Sequence, residues 1–416
     1  MSDQAAEYDP FERFNRAQGQ GTVRNPYPRY AEWRRVSPVR RVELDDLEPV
    51  MRVQGRMLFG GELPPIYQAL SHDAVVEVLR DGERFSSQGY ARTMGLVFGH
   101  SILEMDGPEH TRSRGVIQQA FSKRALERWE RELVKPVVDG YVDRFVARGH
   151  ADLVRELTFP FPVSVIAHML GLDAADHADF HRWAVELISL GIDPARGFAA
   201  SASLKALFAR VLAERRAEPR EDLISVLALA ELDGTRLDDE AIFAFLRLLA
   251  PAGAETTYRS SSNLFFALLT HPAQLDAVRR DRSLVPRAIE EGLRWESPLT
   301  GIQRTCTRAT EVQGVAIPAG ALVLVNLASA NHDESRYERP DEFDIFRAAK
   351  THMAFAFGPH RCLGMHLANM ESRVVLETLL DRLPNLRLDP EAKDPHVTGA
   401  MFRSPLALPV VFDPTR

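Results

Sequence analysis

The segment Met353-AFAFGPHRCLG-Met365 sets Phe355, Gly358, His360, Cys362 and Gly364 in one short frame, and the fold is read outward from Cys362. Pro359 and the two glycines interrupt regular structure, while Met365 to Leu380 repeats apolar residues at helical spacing. This predicts Cys362 at a helix N-terminus, where the macrodipole and free amide groups favour an anion and lower a thiol's pKa. Gly358 and Gly364 allow backbone to approach a flat ligand as side chains would not. Phe355 offers an apolar face near the sulfur, and His360 and Arg361 add positive charge. A thiolate so placed is suited to metal, whereas the usual free cysteine is a small buried hydrophobe.

Phe355-x-x-Gly358-x-His360-x-Cys362-x-Gly364 resembles the haem-binding signature of the cytochromes P450, in their soluble bacterial form. The resemblance implies haem b (Fe protoporphyrin IX) held by the Cys362 thiolate, a ligand that pushes electron density toward O–O cleavage. Three further motifs agree with it. Glu291-Gly-Leu-Arg294 places a carboxylate and a guanidinium on one helix face, about seventy residues before the cysteine, where the family carries a Glu-x-x-Arg pair. The family completes that network with an Arg in Pro-x-Arg-Phe, but this chain reads Pro340-Asp341-Glu342-Phe343, so Arg339 and Arg347 are the candidates for the third member.

The stretch from Asp238 to Pro272 reads as one long helix, about 45 Å at 1.5 Å per residue. Pro251 and Gly253 fall in its middle and predict an opened turn. Ala252-Gly253-Ala254-Glu255-Thr256-Thr257 resembles the P450 distal-helix motif, in which such a turn accommodates dioxygen and an acid and an alcohol deliver protons. Thr256 donates and accepts through one small group, and Glu255 is expected to connect to solvent protons. In Asp106-GPEHTRSRG, Asp106 and Pro108 signal a helix start, with His110 and Arg114 four apart on one face. By resemblance, His110, Arg114, Arg304 and His360 would neutralise the haem propionates, which need such partners in a low-dielectric interior.

Composition fits one large globular unit. The chain has 416 residues, 45% of them apolar, and its length alone could hold two or three domains; it shows no linker, repeat or low-complexity tract, and the resemblance implies a single haem-centred domain spanning 1–416. A net charge of −7 argues against a nucleic-acid partner. Two cysteines imply no disulfide framework, and Cys306, in a strand-like stretch, is read as structural. The opening MSDQAAEYDPFERFN has neither a basic lead nor an apolar core, and no run of eighteen apolar residues occurs, so no membrane anchor and a cytoplasmic location are expected.

Residues 1 to 40 are polar and proline-rich and end in a short helix at Tyr30-AEWRR. A small sheet is expected from there to about 80, with a helix at His72-DAVVEVLRDG. Helical periodicity dominates 107 to 296, interrupted by prolines between Asp152 and Leu172. Strands return at 301 to 327, where Ile317-Pro318-Ala319-Gly320 reads as a type I turn, and PVVF near the end suggests a closing sheet. The expected fold is mainly α with minor β, as P450s have.

The resemblance implies a monooxygenase that activates O2 with two external electrons and inserts one oxygen atom, by hydroxylation or epoxidation, into a small hydrophobic substrate. A ferredoxin and an NAD(P)H-dependent ferredoxin reductase would supply the electrons, docking near Arg361 and Arg112. By family position the pocket draws on Ser87 to Phe98, including Met94, Leu96, Val97 and Phe98, and on Leu248, Leu249, Pro251, Ala252, Leu299, Thr300, Ile302, Met401 and Phe402; ordinary core packing is the alternative for each. Arg247 lies about 180° round the helix from Thr256 and is not placed there. Other readings keep part of the set: a peroxide-driven peroxygenase, a non-catalytic haem sensor or carrier, and a cysteine hydrolase using Cys362 and His360.

Overall fold

The computed structural model describes residues 9–43, 46, 63–190 and 192–415. The opening residues 1–8, and the part of the expected sheet falling on 44, 45 and 47–62, lie outside the described residues. The molecule is built round one helix, Asp239–Thr270, hereafter the long helix. Asp238 caps it, its carboxylate accepting from the Ala241 amide at 2.8 Å. Most of its residues are buried, which marks a helix running through a core rather than over one. The helices Pro160–Met169, His177–Ile188, Pro194–Ala217, Val285–Trp295 and Met365–Arg382 pack against it and share its hydrophobic cluster.

The long helix runs unbroken through Pro251, so the expected opened turn is not a break. Proline removes one donor, and the hydroxyl of Thr256 donates to the Ala252 carbonyl at 2.8 Å one turn later. The prolines between 152 and 172 interrupt a helical stretch, as expected. A π-helical segment at Val154–Thr158 gives way to the helix Pro160–Met169, which Pro160 and Pro162 open, where a missing N–H costs nothing. The early helix likewise begins before Tyr30, spanning Tyr27–Val36 with Pro28 in its first turn.

A five-stranded sheet flanks this helical body in the order Val39–Arg41, Ile66–Ala69, Leu322–Asn326, Gly301–Cys306, Phe85–Ser86. Pairing is antiparallel except between Leu322–Asn326 and Ile66–Ala69, which run parallel with Leu322 opposite Ile66. Cys306 is fully buried in the sheet's own core with Val78, Phe85 and Val323. The turn before Leu322 closes one residue later than expected: the Ala321 amide bonds the Pro318 carbonyl. Gly320 has φ of 79° at its third position, the type II form. The closing sheet pairs Pro409–Val411 with both His150–Asp152 and Arg387–Leu388. The fold is mainly helical with minor sheet, and among the described residues no helix is long and apolar enough to cross a membrane.

Arg403 pins the C-terminal segment to this body. It is 1% exposed and bonds the Glu296 carboxylate at 2.7 Å and the Arg24 carbonyl at 2.8 Å. Glu296 also accepts from the Tyr27 hydroxyl at 2.5 Å, so three distant segments meet on one carboxylate. Replacing Arg403 with Leu leaves a buried charge unpaired and is expected to cost about 3–5 kcal/mol, read from the denaturant midpoint of unfolding.

Candidate active site at Cys362

The cysteine segment is held by backbone first. The Cys362 amide donates to the Phe355 carbonyl at 2.9 Å, and the Ala356 amide to Met353 at 2.8 Å, with Ala356 itself at φ of 55°. Phe355, Ala354 and Leu363 pack on the main core. Gly364 caps the helix Met365–Arg382, so Cys362 stands just ahead of that helix and the Gly364 and Met365 amides face its sulfur. Cys362 keeps exposed surface, yet burial pushes its thiol pKa up more than those amides, Arg114 and Arg361 pull it down. Both facts hold for a sulfur opening on a recess within the protein. The lowered pKa expected from the helix dipole is therefore overruled by desolvation.

Two glycines do other work than expected. Gly358 has φ of 72°, and a Cβ there would lie 2.2 Å from the Leu79 carbonyl, so its bare backbone serves contact with the helix His72–Arg80 and not with a ligand. At Gly253 a Cβ would meet Ile166 at 2.9 Å, which makes it a helix-packing glycine. Gly364 differs: within 4 Å its Cβ position meets only the Cys362 sulfur, at 4.0 Å, so space beside the sulfur is open.

The four expected charge partners converge, although they come from three elements. His110 stacks on His360 with centroids 4.0 Å apart. His360 Nε2 is 3.1 Å from the Ser87 hydroxyl and 3.7 Å from Asp106. Arg114 donates to the Arg361 carbonyl at 2.6 Å, and Arg304 is 5% exposed on the strand Gly301–Cys306, next to Tyr90. Burial, then the charges of His360 and Arg114, push His110 down to about 4, and burial lowers His360, Arg114 and Arg304. His110 Nε2 is buried without a partner. Among the described residues Asp106 is the one carboxylate set against this group, and the Ser87 amide and Ser86 hydroxyl also bond it. The cluster is thus short of negative charge, as a dianion's site would be.

On the long helix, Leu248, Leu249, Ala252, Gly253 and Thr256 retain surface in a stretch otherwise buried, and 248, 252 and 256 fall on one face. Glu255 departs from expectation. It is 5% exposed and paired with the fully buried Arg259, which also bonds Asn15 and Ser404, so the expected link to solvent is closed by that pair. Pro251 turns with Glu255, Phe159 and Tyr258 onto a small, partly open cavity. Leu299 bridges Phe402, and the Thr300 amide donates to Met401 at 2.8 Å, so these four pocket candidates meet; Ile302 follows on the same strand, two residues before Arg304. Met94 is half-buried and Leu96 exposed, but Val97 and Phe98 are sealed in the main core and offer a ligand no surface.

Behind the cysteine segment, Arg294 donates to both oxygens of Glu291, at 2.7 and 2.8 Å. Arg347, and not Arg339, is the third member: it donates to Glu291 at 3.2 Å and to the carbonyls of Glu338, Arg339 and Glu342. Arg339 pairs with Glu342 at the surface. Asn331, which no motif signalled, carries the network forward. Its carbonyl accepts from Arg294, its side chain bonds Ser297, and its Oδ1 accepts from the Met353 amide at 2.6 Å, where the cysteine segment begins.

Among the described residues no three His, Cys, Asp or Glu side chains could hold a metal by themselves. A metal on Cys362 must arrive with its other ligands supplied, and a macrocycle with two carboxylates would also satisfy the cationic cluster. The residues present fit haem on both counts. Comparison with known proteins decides the family. The cytochrome P450 family model matches residues 196–405. The monooxygenase PikC of Streptomyces venezuelae is 36% identical, over 90% of this chain and 87% of its own. The chain belongs to the cytochrome P450 family. A steroid C26-monooxygenase of Mycolicibacterium smegmatis is 37% identical, over 83% of this P450 and 88% of its own length. Among solved structures, CYP109Q5 from Chondromyces apiculatus superposes with a TM-score of 0.84 at 35% identity, covering 96% of this P450 and 98% of that chain. CYP109E1 from Bacillus megaterium, solved with testosterone, gives 0.82 at 30%, covering 94% and 99%. This P450 is a monooxygenase of bacterial type, and its family implies a haem cofactor.

Gly358→Ala is expected to destabilise the P450 by about 1–3 kcal/mol, since its φ and the Leu79 contact both resist a side chain. Arg347→Ala leaves Glu291 with Arg294 alone and is expected to lower haem retention on dilution, measured by Soret absorbance per protein, whereas Arg339→Ala should not.

Proposed function

We propose that this chain is one haem-centred domain spanning 1–416, acting in the cytoplasm, that binds haem b through Cys362 and hydroxylates or epoxidises a hydrophobic small molecule. The supporting observation is the meeting of an accessible Cys362 sulfur with four basic side chains short of anionic partners. Bound haem supplies an iron that activates O2 with two electrons. His110, Arg114, Arg304 and His360 would hold its propionates, and the Gly364 and Met365 amides would stabilise the sulfur's negative charge. The half-exposed stripe Leu248, Leu249, Ala252 and Thr256 would line the opposite wall, with Leu299 and Phe402 excluding water beside it.

Thr256 is read as the proton-handling alcohol. Its Oγ1 rests on the Ala252 carbonyl, a bond that rotation about one side-chain angle exchanges for donation into the recess. Glu255 is the acid behind it, held in place by its ion pair with Arg259; breaking that pair would free the carboxylate to turn toward Thr256. Electrons are assigned to a ferredoxin and an NAD(P)H-dependent reductase, docking where Arg112 and Arg361 are exposed. The relatives' printed substrates, steroids in particular, support a large apolar substrate.

Turnover with ferredoxin, its reductase, NADPH and labelled O2, on a panel of steroids that shift the haem spin state, tests this reading. One labelled oxygen atom in the product is expected. Product formed from peroxide but not from NADPH would make the chain a peroxygenase, and no product by either route would make it a carrier. Thr256→Ala is expected to keep consuming reductant while product per reductant falls about tenfold; unchanged coupling contradicts the role given to Thr256.

A further inference from the structure

Glu371 lies on the helix Met365–Arg382, is 2% exposed, and among the described residues has no cation beside it. Its polar partner is Thr257, whose hydroxyl donates to Oε2 at 3.4 Å. The charged groups of the elements packed on this helix close on one another: Glu255 with Arg259, Glu291 with Arg294, Glu130 with Arg373. Two more buried hydroxyls on these helix faces, Ser261 four residues past Thr257 and Thr378 seven past Glu371, lack partners. The seam between the two helices is therefore polar without being charged, an arrangement that packing alone does not call for.

We infer that Glu371 is a positioning residue: through Thr257 its buried carboxyl fixes the register between the helix that follows the Cys362 loop and the middle of the long helix, one residue from Thr256. The helices on which the sulfur and the alcohol depend have few other polar ties to each other, and an apolar contact slides where a hydrogen bond does not. Thr256 and the Ala252 carbonyl it rests on belong to the same turn as Thr257, so a slip of that turn displaces both. An apolar residue at 371 would leave the Thr257 hydroxyl buried and unpaired, whereas glutamine would keep its acceptor.

The device carries a pH signature. Burial first, only partly offset by Thr257, pushes Glu371 up to about 8 from an ordinary value of 4.5. The folded chain thus holds this proton between those values while the unfolded chain has released it. The stability owed to this group is complete below pH 4.5, falls as pH rises, and levels above pH 8.

Two variants of the haem-loaded protein test the inference. Glu371→Gln removes the titration, so its folding constant relative to wild type is expected to rise about tenfold per pH unit from pH 5 to 8 and then level, read as a widening gap in melting temperature. Parallel melting curves from pH 5 to 9 would overturn the neutral buried state. Glu371→Val is expected to keep the reduced carbonyl spectrum of a sulfur-ligated haem at pH 7 yet lose coupling as far as Thr256→Ala does. A Val variant coupling like wild type, where Thr256→Ala uncouples, would overturn the positioning role. This kinetic arm rests on the role proposed for Thr256; if Thr256→Ala couples normally, that reading has failed, and the melting curves alone decide Glu371.

Discussion

Two histidines and two arginines gathered beside Asp106, with His110 and Arg304 buried and His360 and Arg114 half-buried, form the constraint on which this molecule turns. His110 and Arg114 come from one helix, Arg304 from the central sheet and His360 from the cysteine segment, so three elements pay a common desolvation cost at one place. Asp106 sets one negative charge beside two guanidinium groups and two histidines. Removing such charges from water costs several kcal/mol each unless an anion answers them. A ligand bearing two carboxylates and a metal for the nearby sulfur meets both demands together, which is why cluster and sulfur are best understood as one site.

The rest of the fold positions that site. Asn331 connects the start of the cysteine segment to the Glu291, Arg294 and Arg347 network, and the Cys362 amide closes on Phe355 at the other end. The sulfur is thereby fixed by hydrogen bonds on both sides, independently of any metal. The long helix leaves a narrow accessible stripe in an otherwise buried surface, and on it the Thr256 hydroxyl rests on the Ala252 carbonyl. Rigid scaffolding on the sulfur side and an adaptable hydroxyl on the helix side suit chemistry in which the ligand stays fixed while protons move.

Much of this was legible in the sequence because the signals were local. Cys362 with its glycines, the capped helix from Asp238, and His110 with Arg114 each occupy a short window, and family resemblance joined windows some 250 residues apart. What failed to show was partnership. A glycine announces a close approach but not to what, so the sequence suggests a ligand at Gly358 and an opened turn at Gly253, whereas Leu79 and Ile166 are their neighbours. By sequence alone Glu255 reaches solvent, because Arg259, four residues on, can point anywhere until Asn15 and Ser404 bring it inside. Arg347 and Arg339 are equal candidates by spacing, and only the path of the chain through 338–342 separates them. Asn331 belongs to no motif; its role comes from being buried between two segments that must not move.

The central claim is a bond between the Cys362 sulfur and haem iron, and the absorption spectrum of the reduced protein under carbon monoxide tests it most directly. The account predicts the long-wavelength Soret band characteristic of thiolate ligation in the wild type, and its loss in Cys362→Ser. A haem-loaded wild type without that band, or a serine variant whose spectrum is unchanged, would contradict it.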